Sequence, residues 1–273
     1  MKTPDPIIIV RDFAMNFGDQ TVIKNLNFTV QRGETFGFLG SNGSGKTTTI
    51  RALLGIYQPS EGELLINGKT FQVDGATKIG YLPESRGLYE KETVRDVMNY
   101  FGELKGLSHG EATDFTEKYL ARVNLSEYID SKISKLSGGQ QQKIQLGITV
   151  MNEPDLLILD EPTKGFDPVN RRLLMDIIKE HQDRGATVLM ISHQMDDVEK
   201  LCDHILLLKD GVAREFGTVP EVRKKYNNAS LEDIFLKIYG AENDTVEGAQ
   251  DDNGIPKQFS NDKGAKIKTR RQK

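Results

Sequence analysis

An α/β fold with a mostly parallel core sheet is predicted by three features of this sequence. Short, densely apolar runs such as "DLLILDEP" and "ATVLMIS" alternate with helix-length segments, the pattern of strands covered on both faces. One such run, "ETFGFLG", ends in a glycine-rich loop, Gly40 to Thr47, that opens straight into a helical pattern. A stretch from about 91 to 150 carries no strand run at all and reads as an α-helical insert.

Taken in order, the elements begin with an antiparallel β unit. "IIIV" is an apolar run, and "TVIKNLNFTV" alternates Val22, Leu26, Phe28 and Val30 before a turn at Arg32-Gly33. "ETFGFLG" and "SNGSGKTTTIRALLGI" then give strand, loop and helix, and "GELLING" and "TKIGYLP" read as strands. In the insert, "TVRDVMNYFGELKG", "HGEATDFTEKYLARVN" and "SEYIDSKI" read as helices joined by short turns. Strands follow at "DLLILDEP", "ATVLMIS" and "HILLLKDG", then a hairpin signal in "LKDGVAREFGTV" and two short helices near "PEVRKKY" and "LEDIFLKIYG". This predicts a single folded α/β unit over 1–240. After Gly240 come scattered acids, then Lys263, Lys266, Lys268, Arg270, Arg271 and Lys273; apolar residues are too sparse to offset ordering entropy, so 241–273 is expected to be a disordered, solvated tail.

Composition narrows the function. The net charge of −4 and a pI near 5.7 argue against nucleic acid as a partner. The single cysteine, Cys202, excludes an internal disulfide and, in "VEKLCDHILLL", reads as a buried, inert thiol. No signal peptide and no membrane-length apolar run is visible, so a cytoplasmic chain is expected, reaching any membrane through a partner.

Three motifs carry chemistry. "GSNGSGKT", residues Gly40, Ser41, Asn42, Gly43, Ser44, Gly45, Lys46 and Thr47, matches G-x-x-x-x-G-K-[ST]: bare backbone amides at a helix start cradle phosphates, the lysine reaches the β- and γ-phosphates, and the Thr47 hydroxyl holds Mg²⁺. Thr48 follows on the same turn. "LLILDEP" places Asp160 and Glu161 at a strand end, where parallel sheets bind ligands; Asp160 would face the metal and Glu161 would take a proton from an attacking water. His193 in "MISHQM" ends another core strand and is expected on the same rim, whereas His109 reads as a loop residue, His181 as lying on an exposed helix face and His204 as lying at a strand edge.

A fourth stretch, "LSGGQQQK" at 136–143, shortly precedes "LLILDEP", and the motifs in this order resemble the ATP-binding subunits of ABC transporters over about 7–240. The resemblance implies the P-loop ABC cassette fold, ATP and Mg²⁺ as cofactors, and a head-to-tail pair with a second ATP-binding subunit, identical or not. Ser137, Gly138, Gly139 and Gln140 would bind the γ-phosphate held by the opposite subunit. It also implies adenine stacking on Phe17, a subunit-contacting loop at Lys164 to Pro168 that includes Asp167, and a switch role for His193. Where the family usually has Gln, "YLPESRGLY" has Glu84, a carboxylate able to approach Mg²⁺ or water at the cost of added charge near the phosphates. With "SHQMDDVEKLCD", this variant resembles the branch serving bacterial sodium, drug or peptide exporters, which implies membrane permease partners and a peripheral place at the inner face of the membrane. The alternative is a non-transport ATPase of the same family acting on a soluble partner. Only 88 residues, 48 to 135, separate Thr47 from Leu136, with no heptad run, which disfavours the coiled-coil chromosome and repair relatives; one phosphate loop disfavours the two-cassette translation relatives.

Overall fold

The structure, a computed structural model, describes residues 5–72, 76–85 and 87–240; the expectation for 241–273 lies outside the described residues. The chain opens with β1 (Pro6–Phe17) and β2 (Gln20–Gln31), paired antiparallel with Ile8 opposite Val30 and Val10 opposite Phe28. β4 (Glu61–Ile66) adds antiparallel to the other edge of β1, giving a three-stranded sheet ordered β2-β1-β4. Its apolar face, with Ile8, Val10, Phe13, Ile23, Leu26 and Phe28, is buried.

The main sheet has six strands. β5 (Ile79–Leu82), β6 (Leu156–Asp160), β7 (Thr187–Ile191), β3 (Thr35–Leu39) and β8 (His204–Lys209) lie side by side in that order and run parallel. β9 (Val212–Thr218) closes one edge antiparallel, through the Asp210-Gly211 turn. Side chains alternate across this sheet. Leu157, Leu159, Val188, Met190, Ile205 and Leu207 face one core, and Leu156, Ile158, Leu189, Ile191, Leu206 and Leu208 face another.

The second core is filled by the antiparallel sheet and α1 (Lys46–Leu53), with Phe28 stacked on Phe36. The first is covered by helices. α2 (Val94–Leu104), α3 (His109–Arg122) and α4 (Gly138–Val150) lie between β5 and β6 in sequence, and α5 (Pro168–Asp183), α6 (Met195–Leu201), α7 (Val219–Lys225) and α8 (Leu231–Gly240) complete the layer. Their starts are written locally. Thr93 caps α2, Ser108 with Glu111 and Ser137 with Gln140 form capping boxes on α3 and α4, and Asp167 with Pro168 opens α5.

Two histidine expectations are corrected. His181 is buried rather than exposed, because Leu174, Ile177, Ile178 and His181 recur at helical spacing on the inner face of α5. His109 is the first residue of α3, 2.7 Å from Glu103, not part of a loop. Cys202 is buried and its thiol is pushed up by burial, away from reactivity. No helix among the described residues is long and apolar enough to cross a membrane.

Candidate functional site

Four neighbouring parallel strands, β5, β6, β7 and β3, end at one rim, and each delivers a functional segment there. β3 runs into Gly40, β5 into Glu84, β6 into Asp160 and Glu161, and β7 into Ser192 and His193. A crevice at the carboxyl ends of parallel strands is where such sheets bind ligands.

The loop from Gly40 to Thr47 turns over the start of α1. Gly45 caps that helix with φ +108°, and no side chain bonds to its first amides, which therefore point outward as donors for an anion. A Cβ at Gly45 would stand 2.3 Å from Ile23 Cδ1, so the antiparallel sheet presses directly against the loop. Lys46 Nζ is buried, donating to the carbonyls of Gly40 at 2.7 Å and Ser41 at 2.9 Å; burial lowers its pKa, opposed by Glu161 and Asp160. Ser41 and Thr48 are half-buried, Asn42 and Gly43 exposed. Ser44 Oγ is buried without a hydrogen-bond partner, a polar atom aimed at something the loop itself does not supply.

Thr47 Oγ1 donates to Asp160 Oδ2 at 3.3 Å. Two hard oxygen donors side by side are the type that Mg²⁺ accepts, so the residues present fit that ion. Burial raises the Asp160 pKa. Glu161 sits at φ +52°, a strained backbone position for a residue with a side chain, held by its amide bonding to Ile191 O at 2.9 Å. Burial pushes its carboxyl up to about 7, and its Oε1 has no aligned hydrogen bond although His193 Nε2 stands 3.2 Å away. Such a carboxylate can accept a proton near neutral pH. His193 is itself held down by burial and by Lys46.

Lys164 Nζ donates to Glu84 Oε1 at 2.6 Å, and both line a cavity of about 400 Å³ with Asn42, Glu161, Thr163, Phe166, Arg171 and His193. Arg171 grips Asp197 with two bonds, at 2.7 and 3.0 Å, fixing α5 to α6 just after His193. The sequence names Lys164 only as part of a loop and passes over Arg171; their partners are 80 and 26 residues away, beyond any local pattern.

Other predicted residues lie apart from this cluster. Ser137, Gly138, Gly139 and Gln140 open α4, where Ser137 Oγ takes the Gln140 amide and leaves the Gly138 and Gly139 amides unspent. Gly139 has an ordinary helical φ, and a Cβ there would meet only Phe166 at 3.8 Å, so nothing inside the chain demands glycine. Asp167 is committed to capping α5, accepting from Val169 and Asn170 amides. Phe17 ends β1 half exposed, edge-on to Tyr57 at 5.4 Å.

A sheet of this order carrying a phosphate loop, two acids and a histidine at one rim defines a nucleotide-binding cassette. The chain belongs to the ABC transporter family: the family model described as "ABC transporter" matches residues 23–164, and the chain is an ABC transporter ATP-binding subunit. An uncharacterized ABC transporter ATP-binding protein of Methanocaldococcus jannaschii is 44% identical over 81% of this chain and 80% of its own length. The Nod factor export ATP-binding protein I of Burkholderia lata is 36% identical over 74% of this chain and 67% of its own. A solved ATP-binding subunit of an ABC transporter superposes with a TM-score of 0.79 at 30% identity, covering 85% of this chain and 98% of that one.

Proposed function

We propose that this protein hydrolyses ATP as the motor of an exporter, closing head to tail with a second ATP-binding subunit to drive a separate membrane permease. The observation that carries the reading is the convergence of the uncapped α1 start, the Thr47–Asp160 pair and the raised Glu161 carboxyl on one rim. Lys46 and the α1 amides bind the triphosphate. Thr47 and Asp160 hold Mg²⁺, which when bound supplies charge stabilisation at the phosphates. Glu161, desolvated, orients water and takes its proton, and His193, with Nε2 3.2 Å away, holds the Glu161 carboxyl in place. Phe17 offers a half-exposed ring for adenine.

The free amides at the start of α4 support the two-subunit reading. They form a second anion-binding start on the same chain, a Cβ at Gly139 would meet only Phe166 at 3.8 Å, and Asp167 shapes the adjoining loop by capping α5. For the permease, Tyr89, Tyr100 and Phe101 form an aromatic cluster following Glu84 in sequence; Tyr89 stacks on Phe101 at 6.0 Å, and Tyr89, Tyr100 and the apolar Leu104 at the end of α2 stay exposed. Export as the direction is favoured by the likeness to the Nod factor export protein. The cargo is read by the permease.

The test uses Glu161→Gln. Removing a general base costs 10² to 10⁴ in rate, so turnover should fall by about that factor while Mg-ATP binding persists and a dimer accumulates on gel filtration. Purified with Mg-ATP from solubilised membranes of its source cell, the variant should carry a polytopic membrane protein with it. A soluble companion instead would point to the non-transport alternative, and a variant that keeps wild-type turnover would remove Glu161 from the chemistry.

A further inference from the structure

Three carboxylates, Glu84, Asp160 and Glu161, share one rim that must also receive a polyanion. Asp160 has the Thr47 hydroxyl at 3.3 Å, and Glu161 has His193 Nε2 at 3.2 Å. Glu84 is different. It is exposed, its carboxyl is held below the usual carboxylate range by its bond to Lys164, and its charge is felt at Asp160, Glu161 and Lys46. Glu84 thus brings to the site a negative charge that the phosphates would oppose. The cation bonded to it is the Lys164 ammonium, 2.6 Å away.

We propose that Lys164 is a positioning and affinity-setting residue, whose ammonium neutralises Glu84 so that a carboxylate can stand beside the nucleotide phosphates. The inference rests on the reading of this rim as an Mg-ATP site. A competing role for the same pair is a latch across the mouth, opened by nucleotide. The two predict opposite signs. A latch would make nucleotide bind more tightly once Lys164 is removed; a neutraliser would make it bind more weakly. Magnitude decides between them. Both side chains are about half exposed or more, and exposed pairs hold too weakly to gate a tightly bound ligand. An unanswered charge lining the same cavity as Glu161 and His193 acts over a longer range, limited by a Debye length of about 8 Å.

The loss should therefore depend on Glu84, which a double-mutant cycle reads directly. Mg-AMP-PNP binding would be titrated by calorimetry in the full chain, in wild type, Lys164→Met, Glu84→Gln and the double variant. Lys164→Met should weaken binding by about five- to thirtyfold at low salt, less as salt rises. In the Glu84→Gln background the same change should cost less than about twofold, since there is then no charge to answer. Lys164 is exposed, so thermal unfolding of the nucleotide-free variants should stay close to wild type and serve as the folding control. Equal losses in both backgrounds, or tighter binding by Lys164→Met, would overturn the proposal. Failure of the wild type to bind Mg-AMP-PNP would instead overturn the nucleotide reading of the rim, and this inference with it.

Discussion

Glu161 and Gly45 show how single residues at the rim are held in conformations that their neighbours enforce. Glu161 keeps a positive φ with its amide tied to β7; Gly45 has φ +108°, which only glycine adopts freely, and a Cβ there would meet Ile23. Gly45→Ala should therefore force both a strained φ and a clash, displacing the first amides of α1. Nucleotide binding is expected to be lost, with a fall in stability of about 1–3 kcal/mol measured by urea unfolding. Thr47→Ala should leave nucleotide binding without magnesium nearly unchanged and weaken the magnesium-dependent part by about tenfold, since one hard oxygen of two is gone. The phosphate loop, the acids and His193 are legible in the sequence because each motif is local and sits at a strand end. The Glu84–Lys164 bond is not, because it joins two exposed loops whose side chains carry no mutual spacing.

At the scale of elements, capping residues mark where α2, α3, α4 and α5 begin, and alternation marks the antiparallel strands. Strand order is not legible: β3, third in the chain, lies between β7 and β8, an arrangement fixed by long-range packing rather than by any run of residues. The seam between α3 and α4 is tight. Tyr119 lies over Gly147, where a Cβ would stand 2.4 Å from its ring, and its hydroxyl donates to Lys143 O at 2.7 Å. Gly147→Ala should overpack this seam and cost about 1–3 kcal/mol on chemical denaturation. Lys105, at the end of α2, donates to Thr149 O at 2.9 Å, and burial lowers its ammonium pKa to about 8. Between pH 8 and about 10.5 the unfolded chain holds a proton that the folded chain has released, so wild-type stability should rise with pH there relative to Lys105→Met. The differential should reach about 1–3 kcal/mol, read from urea unfolding at pH 8 and pH 10.

Across the whole molecule, the paired bonds of Arg122 to Glu180 tie α3 to α5, and Thr149 on α4 donates to Tyr81 O of β5. The exposed apolar residues Tyr89, Tyr100 and Leu104 belong to the same region. If a membrane permease docks there as proposed, a Tyr100→Glu/Leu104→Glu variant should keep its ATPase activity and its melting temperature yet lose co-purification with that membrane protein; retained co-purification would remove the patch from that contact. The partition of the main sheet has a consequence for how such a protein changes over time. Leu157 and Ile158 are covalent neighbours but belong to separate interiors, one shared with the helices and one with the antiparallel sheet. Substitutions at the two should be tolerated or rejected independently, whereas Leu157 should drift in concert with residues such as Val188 that enter the same interior. Inheritance along the chain would thus follow two interleaved histories, written on alternate letters of the same strand.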